Sequence, residues 1–390
     1  MTQPITLSSC RIDPDSGIRR QSPRPPHLRN ADYDARFDFD TLFYDVYRAG
    51  PHVVFQGPPL HSLLDHLRQS TPFKGRLGFP RFSARHYGPH KRGEIWLRSD
   101  TDRVLLDGPL GRHDLPVQPD MAPLFAGRRV VTTQSKDNGL RWISDWVRFY
   151  RRVHGADGFM VYDNASTRYT VAEVQAALDA EAEGCPAVAV DWPFPYGPQG
   201  GLPGAINGVE TPWDSDFCQI GSLQHARFRF LRQAASVLNV DIDELVLPVD
   251  GQSIFAAAEA SPGGFVKFAG VWIGTATGPG VTRQNCRHGD FIYRLAADEP
   301  LCTPKYCVVP GRSDPRKVTW SVHNLFGSRH NAVVDGRFLF RHMRGISNSW
   351  KEDRWQQAAP GDIGDLRDDD LAKAFDQAGL LPAQPLRLTA

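Results

Sequence analysis

The stretch Leu238 to Leu247 reads Leu-Asn-Val-Asp-Ile-Asp-Glu-Leu-Val-Leu and sets Asp241, Asp243 and Glu244 in the middle of an apolar segment. Read as an extended strand, alternation puts Asp241 and Asp243 on one face and Val240 and Ile242 on the other. Two carboxylates then converge where a core strand runs out. Burying one unpaired carboxylate costs several kcal/mol, and two like charges about 5–7 Å apart cost more unless a metal or basic groups neutralise them. A hard divalent cation such as Mg²⁺ or Mn²⁺ suits carboxylate oxygens and keeps positions free for substrate phosphates. The plainer reading is a solvated Asp-x-Asp at a strand end, a common arrangement for so short a motif.

The elements that must position this pair alternate in type. Val130-Val-Thr-Thr is a short apolar strand, and Leu140 to Val153 carries Trp142, Ile143, Trp146, Val147 and Tyr150 at helical spacing. Gly158-Phe-Met-Val-Tyr is a second strand, followed by a helix over Val171 to Glu181 and a third strand around Ala187-Val-Ala-Val. Such alternation predicts an α/β architecture with right-handed crossovers and a mostly parallel sheet. Ligands bind beyond the carboxyl ends of the strands in such sheets, where Thr132-Thr-Gln-Ser-Lys-Asp and Asp163-Asn-Ala-Ser-Thr fall and where Asp191 ends the third strand. The Pro- and Gly-rich loop Trp192 to Pro212 is too long for a simple connection. Ser215 to Ser236 reads as one helix leading into the acidic strand. Further on, Gln252 to Ala260 reads as a helix, Gly264 to Gly274, Pro304 to Pro310 and Val318 to Asn324 as strands, and Asp365 to Gly379 as an amphipathic helix.

The earlier part of the chain differs. Residues 1–30 are polar and rich in Pro and Arg, as in Ser22-Pro-Arg-Pro-Pro-His, and predict an irregular tail or wrap. Over 31–120 the patterns are short and strand-like: His52-Val-Val-Phe-Gln, then Glu94-Ile-Trp-Leu and Val104-Leu-Leu on either side of Arg98-Ser-Asp-Thr-Asp-Arg, which reads as a hairpin turn. The expected organisation is a small, partly β accessory domain over 31–120, an α/β domain over 128–360, and a helix and tail over 361–390, which 390 residues accommodate. A formal net charge of +1 lacks the basic footprint of a nucleic-acid binder, so phosphate recognition should be local. The six cysteines show no Cys-x-x-Cys and no zinc-type histidine spacing, which predicts reduced, buried thiols. No basic n-region precedes an apolar stretch, and no apolar run approaches the roughly 18 residues of a membrane span. A cytoplasmic protein is expected, with at most peripheral contact at the inner membrane face.

Four segments taken together resemble a known family: Val130-Val-Thr-Thr-Gln-Ser-Lys-Asp-Asn, Trp142-Ile-Ser-Asp-Trp-Val-Arg-Phe-Tyr, Phe159-Met-Val-Tyr-Asp-Asn-Ala-Ser-Thr and Val240-Asp-Ile-Asp-Glu-Leu. As an ordered set they resemble the bacterial glycosyltransferases related to families 2 and 92. The likeness extends to Lys305 and Pro310, to Val322-His-Asn, and to the segment from Phe340 to Arg354, and leaves out the first 120 residues. The resemblance implies the GT-A fold, a Rossmann-like sheet flanked by helices. It also implies transfer of a sugar, with inversion, from a nucleoside-diphosphate sugar to a glycan or lipid-linked acceptor hydroxyl in cell-surface polysaccharide assembly.

Under that resemblance each residue acquires a role. Asp243 would ligate Mn²⁺ or Mg²⁺ directly, with Asp241 acting through water or on the ribose. His323, ending an apolar strand before Asn324, is the first choice for a further ligand, with His342 behind it. Asp163 would contact the nucleoside with Thr132 nearby, although Asp163, Asn164 and Ser166 are equally good helix caps. Lys305 and Arg354 would meet the diphosphate, since cations placed where charge develops stabilise a leaving group. Asp290 is the candidate base for deprotonating an acceptor hydroxyl, and Glu244 a cap for the following turn. Two enzymatic alternatives fail on order. A haloacid-dehalogenase-type phosphatase needs its Asp-x-Asp on the first strand, and a sugar-nucleotide pyrophosphorylase needs a Gly-rich loop after it. The non-enzymatic alternative is a degenerate GT-A protein that binds a glycan or partner without turnover.

Overall fold

The computed structural model describes residues 3–78, 83–198, 205–206, 209–210, 217–295, 300–348, 353–355 and 366–382. Much of the Trp192 to Pro212 loop, and Asp365 at the start of the expected last helix, lie outside the described residues.

Among the described residues a ten-stranded sheet organises the chain. Its first four strands, in the order Ala187–Asp191, Gly158–Asp163, Arg129–Ser135 and Ser236–Asn239, are all parallel. Parallel strands are buried on both faces, and alternation here divides one apolar run between two layers. Val131, Phe159 and Val161 pack under the Leu140–His154 and Val171–Ala182 helices with Trp146 and Leu178. Val130, Met160 and Tyr162 face the opposite layer with Leu223 and Phe230.

Beyond the fourth strand the expectation of a mostly parallel sheet fails. Cys302–Val308 pairs antiparallel with both Ser236–Asn239 and Phe265–Ile273, so the sheet is mixed. Leu339–Met343 then runs parallel to Phe265–Ile273 and antiparallel to a short strand, Glu244–Val246. The helix expected over Ser215 to Ser236 is α-helical over Phe217–His225 and then widens into a π-helical turn over Ala226–Leu231. That widening re-aims two arginines toward buried acceptors. Arg227 donates to the Ser313 carbonyl at 2.8 Å, and Arg229 to Asp45 at 2.8 Å.

The hairpin expected across Arg98 to Arg103 does not form. Glu94–Arg98 pairs with His52–Gln56 and Ala84–Tyr87 instead, while Arg103–Gly108 folds back on Gly111–Pro116. The tighter turn wins because Gly111 supplies the positive φ, 110°, that it needs. Asp45–Ala49 completes a four-stranded antiparallel sheet with its own core of Val53, Phe55, Ile95 and Leu97 on one face. Residues before 31 are more than an irregular tail: Cys10–Arg11 pairs antiparallel with Thr41–Phe43, Cys10 and Ile12 enter the N-terminal core, and Ile5 donates to the Ala189 carbonyl at the edge of the large sheet. No helix among the described residues is long and apolar enough to cross a membrane.

One buried polar cluster joins the two sheets. The Asp45 carboxylate, fully buried, accepts from His225 Nε2 at 2.9 Å and Arg229 Nη1 at 2.8 Å, and the other nitrogen of His225 meets the Tyr162 hydroxyl at 2.8 Å. Burial pushes the Asp45 carboxyl upward, yet its bonds to His225 and Arg229 outweigh this and hold it below its ordinary value. Asp45→Ala strands a guanidinium and an imidazole in the interior, which typically costs about 3–5 kcal/mol. Urea unfolding of Asp45→Ala should show a loss of that size, and Asp45→Asn a smaller one.

Candidate functional site

The acidic segment is a turn, which corrects the expectation of one strand with both aspartates on one face. The strand ends at Asn239, and the Glu244 N–H donates to the Asp241 carbonyl at 3.1 Å, closing a four-residue turn. Glu244 then caps it, its Oε2 accepting from the Asp241 N–H at 2.9 Å. Buried side chains hold the turn from beneath. His288 Nε2 donates to the Ile242 carbonyl at 2.8 Å, with Asp145 3.6 Å from the other ring nitrogen, and both side chains are fully buried. Tyr150 donates to the Glu244 carbonyl at 2.8 Å. Sequence reading missed Asp145 and His288. The available signal was an aspartate inside the Trp142, Ile143, Trp146 stripe, where a buried carboxylate needs a partner.

Lys305 and His342 meet the acidic residues. Lys305 Nζ, almost wholly buried, lies 2.8 Å from Asp241 and 3.3 Å from Glu244. Burial lowers the Lys305 pKa, but the two carboxylates outweigh it and the ammonium is stabilised overall. Asp241 keeps 38% of its side chain exposed, and Lys305 holds it below the ordinary carboxylate range despite the opposing effect of burial. Glu244 is buried and is pushed up to about 7, chiefly by burial, with Lys305 opposing. Asp243 turns the other way, its Oδ2 3.1 Å from His342 Nε2, with both side chains partly open. Burial depresses His342, but Asp243 more than offsets it and raises the imidazole to about 10. Its ring stacks on Trp272 at 4.1 Å, and the guanidiniums of Arg344 and Arg354 lie 5.1 and 5.2 Å from the same indole.

The other expected residues divide. His323 donates through Nδ1 to the Pro304 carbonyl, 3.0 Å away, and is held down to about 4 by burial and then by Lys305, so it is neutral. His342, rather than His323, is the imidazole against Asp243. Lys305 is not a surface contact for a diphosphate, because its charge is buried and taken by Asp241 and Glu244. Arg354 stands beside Trp272, near His342. Thr132 is paired with Asn239 across the parallel strands, and its side chain is buried beneath the edge. Asp163 ends its strand at the same carboxyl edge, where its carboxylate accepts from Ser166 Oγ at 2.5 Å and Ser166 N at 3.2 Å. It therefore caps a loop, and burial raises it. Asp290 caps its own turn, its carboxylate accepting from the Arg287 N–H at 2.7 Å, and burial raises it.

The loops beside Asp163 are tightly built. Asp137 accepts from the backbone of Thr167 and Arg168 at 2.7 and 3.0 Å and donates its own N–H to Ser166 Oγ at 2.8 Å. Asp137 and Ala165 hold left-handed φ values of 53° and 55°. Such positions cost of order 1 kcal/mol each and persist where the surroundings impose them, which is common at binding edges.

The divalent cation implied by the family resemblance would meet carboxylate oxygens of the right type on Asp241 and Asp243. His342, held protonated with its Nε2 against Asp243, would ligate it only after losing that proton. Among the described residues, no three His, Cys, Asp or Glu side chains are grouped as a ready-made cage. The protein would thus supply Asp243, with Asp241 in the same turn and His342 once deprotonated, and the remaining positions would be left to water and phosphate oxygens.

No protein-family model matches the chain, and no curated protein is similar to it. Among solved structures it is similar to a crystal structure of an active-site mutant of LgtC, at 14% sequence identity and a TM-score of 0.27, over 66% of this chain and 97% of that one.

The raised Glu244 carboxyl gives a pH prediction. Its pKa in the folded chain, about 7, exceeds the ordinary 4.5, so its stabilising contribution is complete below about 4.5 and is lost as pH rises through 7. Between pH 6 and pH 8 in metal-free buffer it should remove about 1 kcal/mol of stability. Glu244→Gln should flatten that part of the profile; urea midpoints of both proteins across this range provide the check.

Proposed function

We propose that the chain is a glycosyltransferase that moves a sugar from a nucleoside-diphosphate sugar to an acceptor hydroxyl on a glycan or lipid-linked chain. One observation carries the reading: an acidic turn at the carboxyl edge of four parallel strands, where Asp243 and His342 converge beside two cationic side chains. That edge is where open α/β sheets bind nucleotides. The resemblance to bacterial enzymes of families 2 and 92, with inversion, cell-surface polysaccharide assembly and peripheral contact with the inner membrane, belongs to the same reading.

On this reading the nucleoside lies across the ends of the Arg129 and Gly158 strands, with Asp163 and the stitched loops as its wall. The diphosphate lies over Asp243, with Arg354 and Arg344 beside Trp272 to meet its charge. A divalent cation, Mn²⁺ or Mg²⁺, when bound there supplies Lewis-acid neutralisation of the leaving diphosphate. The chain's own residues do the positioning. Lys305 fixes the Asp241 carboxylate, His288 and Tyr150 fix the turn, and Trp272 fixes the plane of His342. Such preorganisation spares the site from reordering its dipoles during reaction. The competing reading, a donor- or glycan-binding protein without turnover, is favoured by one feature: both aspartates of the turn are engaged by cations, and neither stands ready to deprotonate an acceptor.

A screen of nucleotide sugars separates these readings, scored by metal-dependent hydrolysis and by protection against thermal unfolding. Hydrolysis supports the enzyme, and protection without hydrolysis supports the binding protein. Asp243→Ala and His342→Ala should each weaken Mn²⁺-dependent binding of the nucleoside diphosphate by at least the 10–100-fold that even outer partners of a metal ligand typically cost. His323→Ala should change it by less than about threefold. Equal binding by wild type in Mn²⁺ and in chelator would remove the metal from the proposal.

A further inference from the structure

The four-stranded N-terminal sheet has a second face that the site above does not use. Direct cross-strand pairs place His52 opposite Arg98, Trp96 opposite Arg85, and Tyr87 opposite Glu94, so these side chains share one face. At the inner end of this face Tyr47 and Val54 pack on Phe228. At the outer end the described residues leave the sheet open as one wall of a cleft of about 370 Å³, whose other wall is Pro315 and Arg316. That volume falls in the range of small-ligand sites. The far wall is pinned: buried Arg92, paired with Glu94, donates to the Pro315 carbonyl at 2.8 Å.

The lining is cationic and aromatic. Among the described residues Arg85 and Arg98 have no carboxylate within ion-pair distance, and Arg316 reaches Asp314 at 3.6 Å with most of its side chain exposed. Among the described residues no acidic side chain lines the cleft. The chain as a whole balances 45 basic against 44 acidic residues, so this local excess is a departure. His52 registers it, being lowered by burial and then by Arg98 and Arg85. Guanidinium forks match carboxylates bidentately, and the apolar face of a sugar ring packs on an indole or phenol.

We propose that this cleft binds an acidic oligosaccharide, with its carboxylates on Arg85, Arg98 and Arg316 and a sugar ring against Trp96 and Tyr87. We assign it as the place where the acceptor glycan is held, an assignment that rests on the glycosyl-transfer reading, whereas the binding itself does not. Three guanidiniums on a near-neutral chain suit a short acidic saccharide better than a nucleic acid, whose binding draws on many phosphate contacts along a basic groove. The chain bounds how far the cleft lies from the residues beside the acidic turn. Arg316 and His323 are seven residues apart in sequence, a span of at most about 25 Å.

Calorimetric titration with trigalacturonate, with neutral maltotriose and with a short oligothymidylate tests this on the full chain. Trigalacturonate should bind and maltotriose should not. Arg85→Ala/Arg98→Ala should weaken trigalacturonate roughly tenfold or more, and Asp243→Ala should leave it unchanged. Both arginines are exposed, and an unchanged melting temperature checks that the double variant folds. Absence of trigalacturonate binding, or binding indifferent to the double variant, overturns the proposal. Oligothymidylate binding more tightly through the same arginines makes the cleft a nucleic-acid site and also overturns it. Trigalacturonate binding by a protein that binds no nucleoside diphosphate supports the cleft and strikes only its role in transfer.

Discussion

A single buried ammonium, that of Lys305, is the constraint on which the acidic turn depends. Burying such a charge costs several kcal/mol, and the cost is met only where carboxylates with good geometry surround it. Asp241 and Glu244 supply them at 2.8 and 3.3 Å. The arrangement also explains why the sheet stops being parallel where it does. Cys302–Val308 inserts antiparallel beside Ser236–Asn239 with Tyr306 opposite Asn239, which carries Lys305 alongside the point where the acidic chain turns. A parallel neighbour entering by a helical crossover would run in the other direction and present its residues at that edge in reverse order.

The turn is thus held from two sides by different physics. Above the edge, Asp243, His342 and Trp272 form a partly open group whose geometry is set by ring stacking and an ion pair. Beneath it, His288 and Tyr150 are buried and donate to backbone carbonyls of the turn itself, with the buried Asp145 behind His288 and bonded to Arg287. Low local dielectric strengthens those bonds and makes any one of them costly to leave unmade. A site that must present charge toward solvent is therefore braced by groups that never see solvent.

How much of this was legible follows from what each signal measures. Apolar alternation reports burial, so the Gly158–Asp163 and Ala187–Asp191 strands and the Leu140–His154 helix were readable to within a residue or two. Strand direction leaves no such trace, and the antiparallel insertion of Cys302–Val308 was invisible. The acidic cluster itself was legible as a charge problem needing basic groups or a metal. Its shape was not, because Asp-Ile-Asp-Glu fits a strand by alternation and a turn by capping, and only the Glu244 bond back to Asp241 decides. Lys305 was read as a diphosphate contact because a lysine carries no mark of burial. Trp272 was missed as a support for His342, since an aromatic on an apolar strand reads as core.

Charge balance explains the form of the candidate metal site. Asp241 is offset by Lys305, Asp243 by a cationic His342, and Glu244 titrates only near 7, so the cluster is close to neutral before any ligand arrives. A neutral cluster would attract a bare divalent ion weakly, and with Asp243 as its main side-chain ligand it would hold one loosely. On the glycosyl-transfer reading, a diphosphate brings both missing ingredients, negative charge and further oxygen ligands. Cation and donor then strengthen one another's binding, and by linkage the coupling is the same in both directions. Lys305 and His342 thus balance the engaged carboxylates of the turn, and on the same reading the oxygens of the donor would complete the coordination.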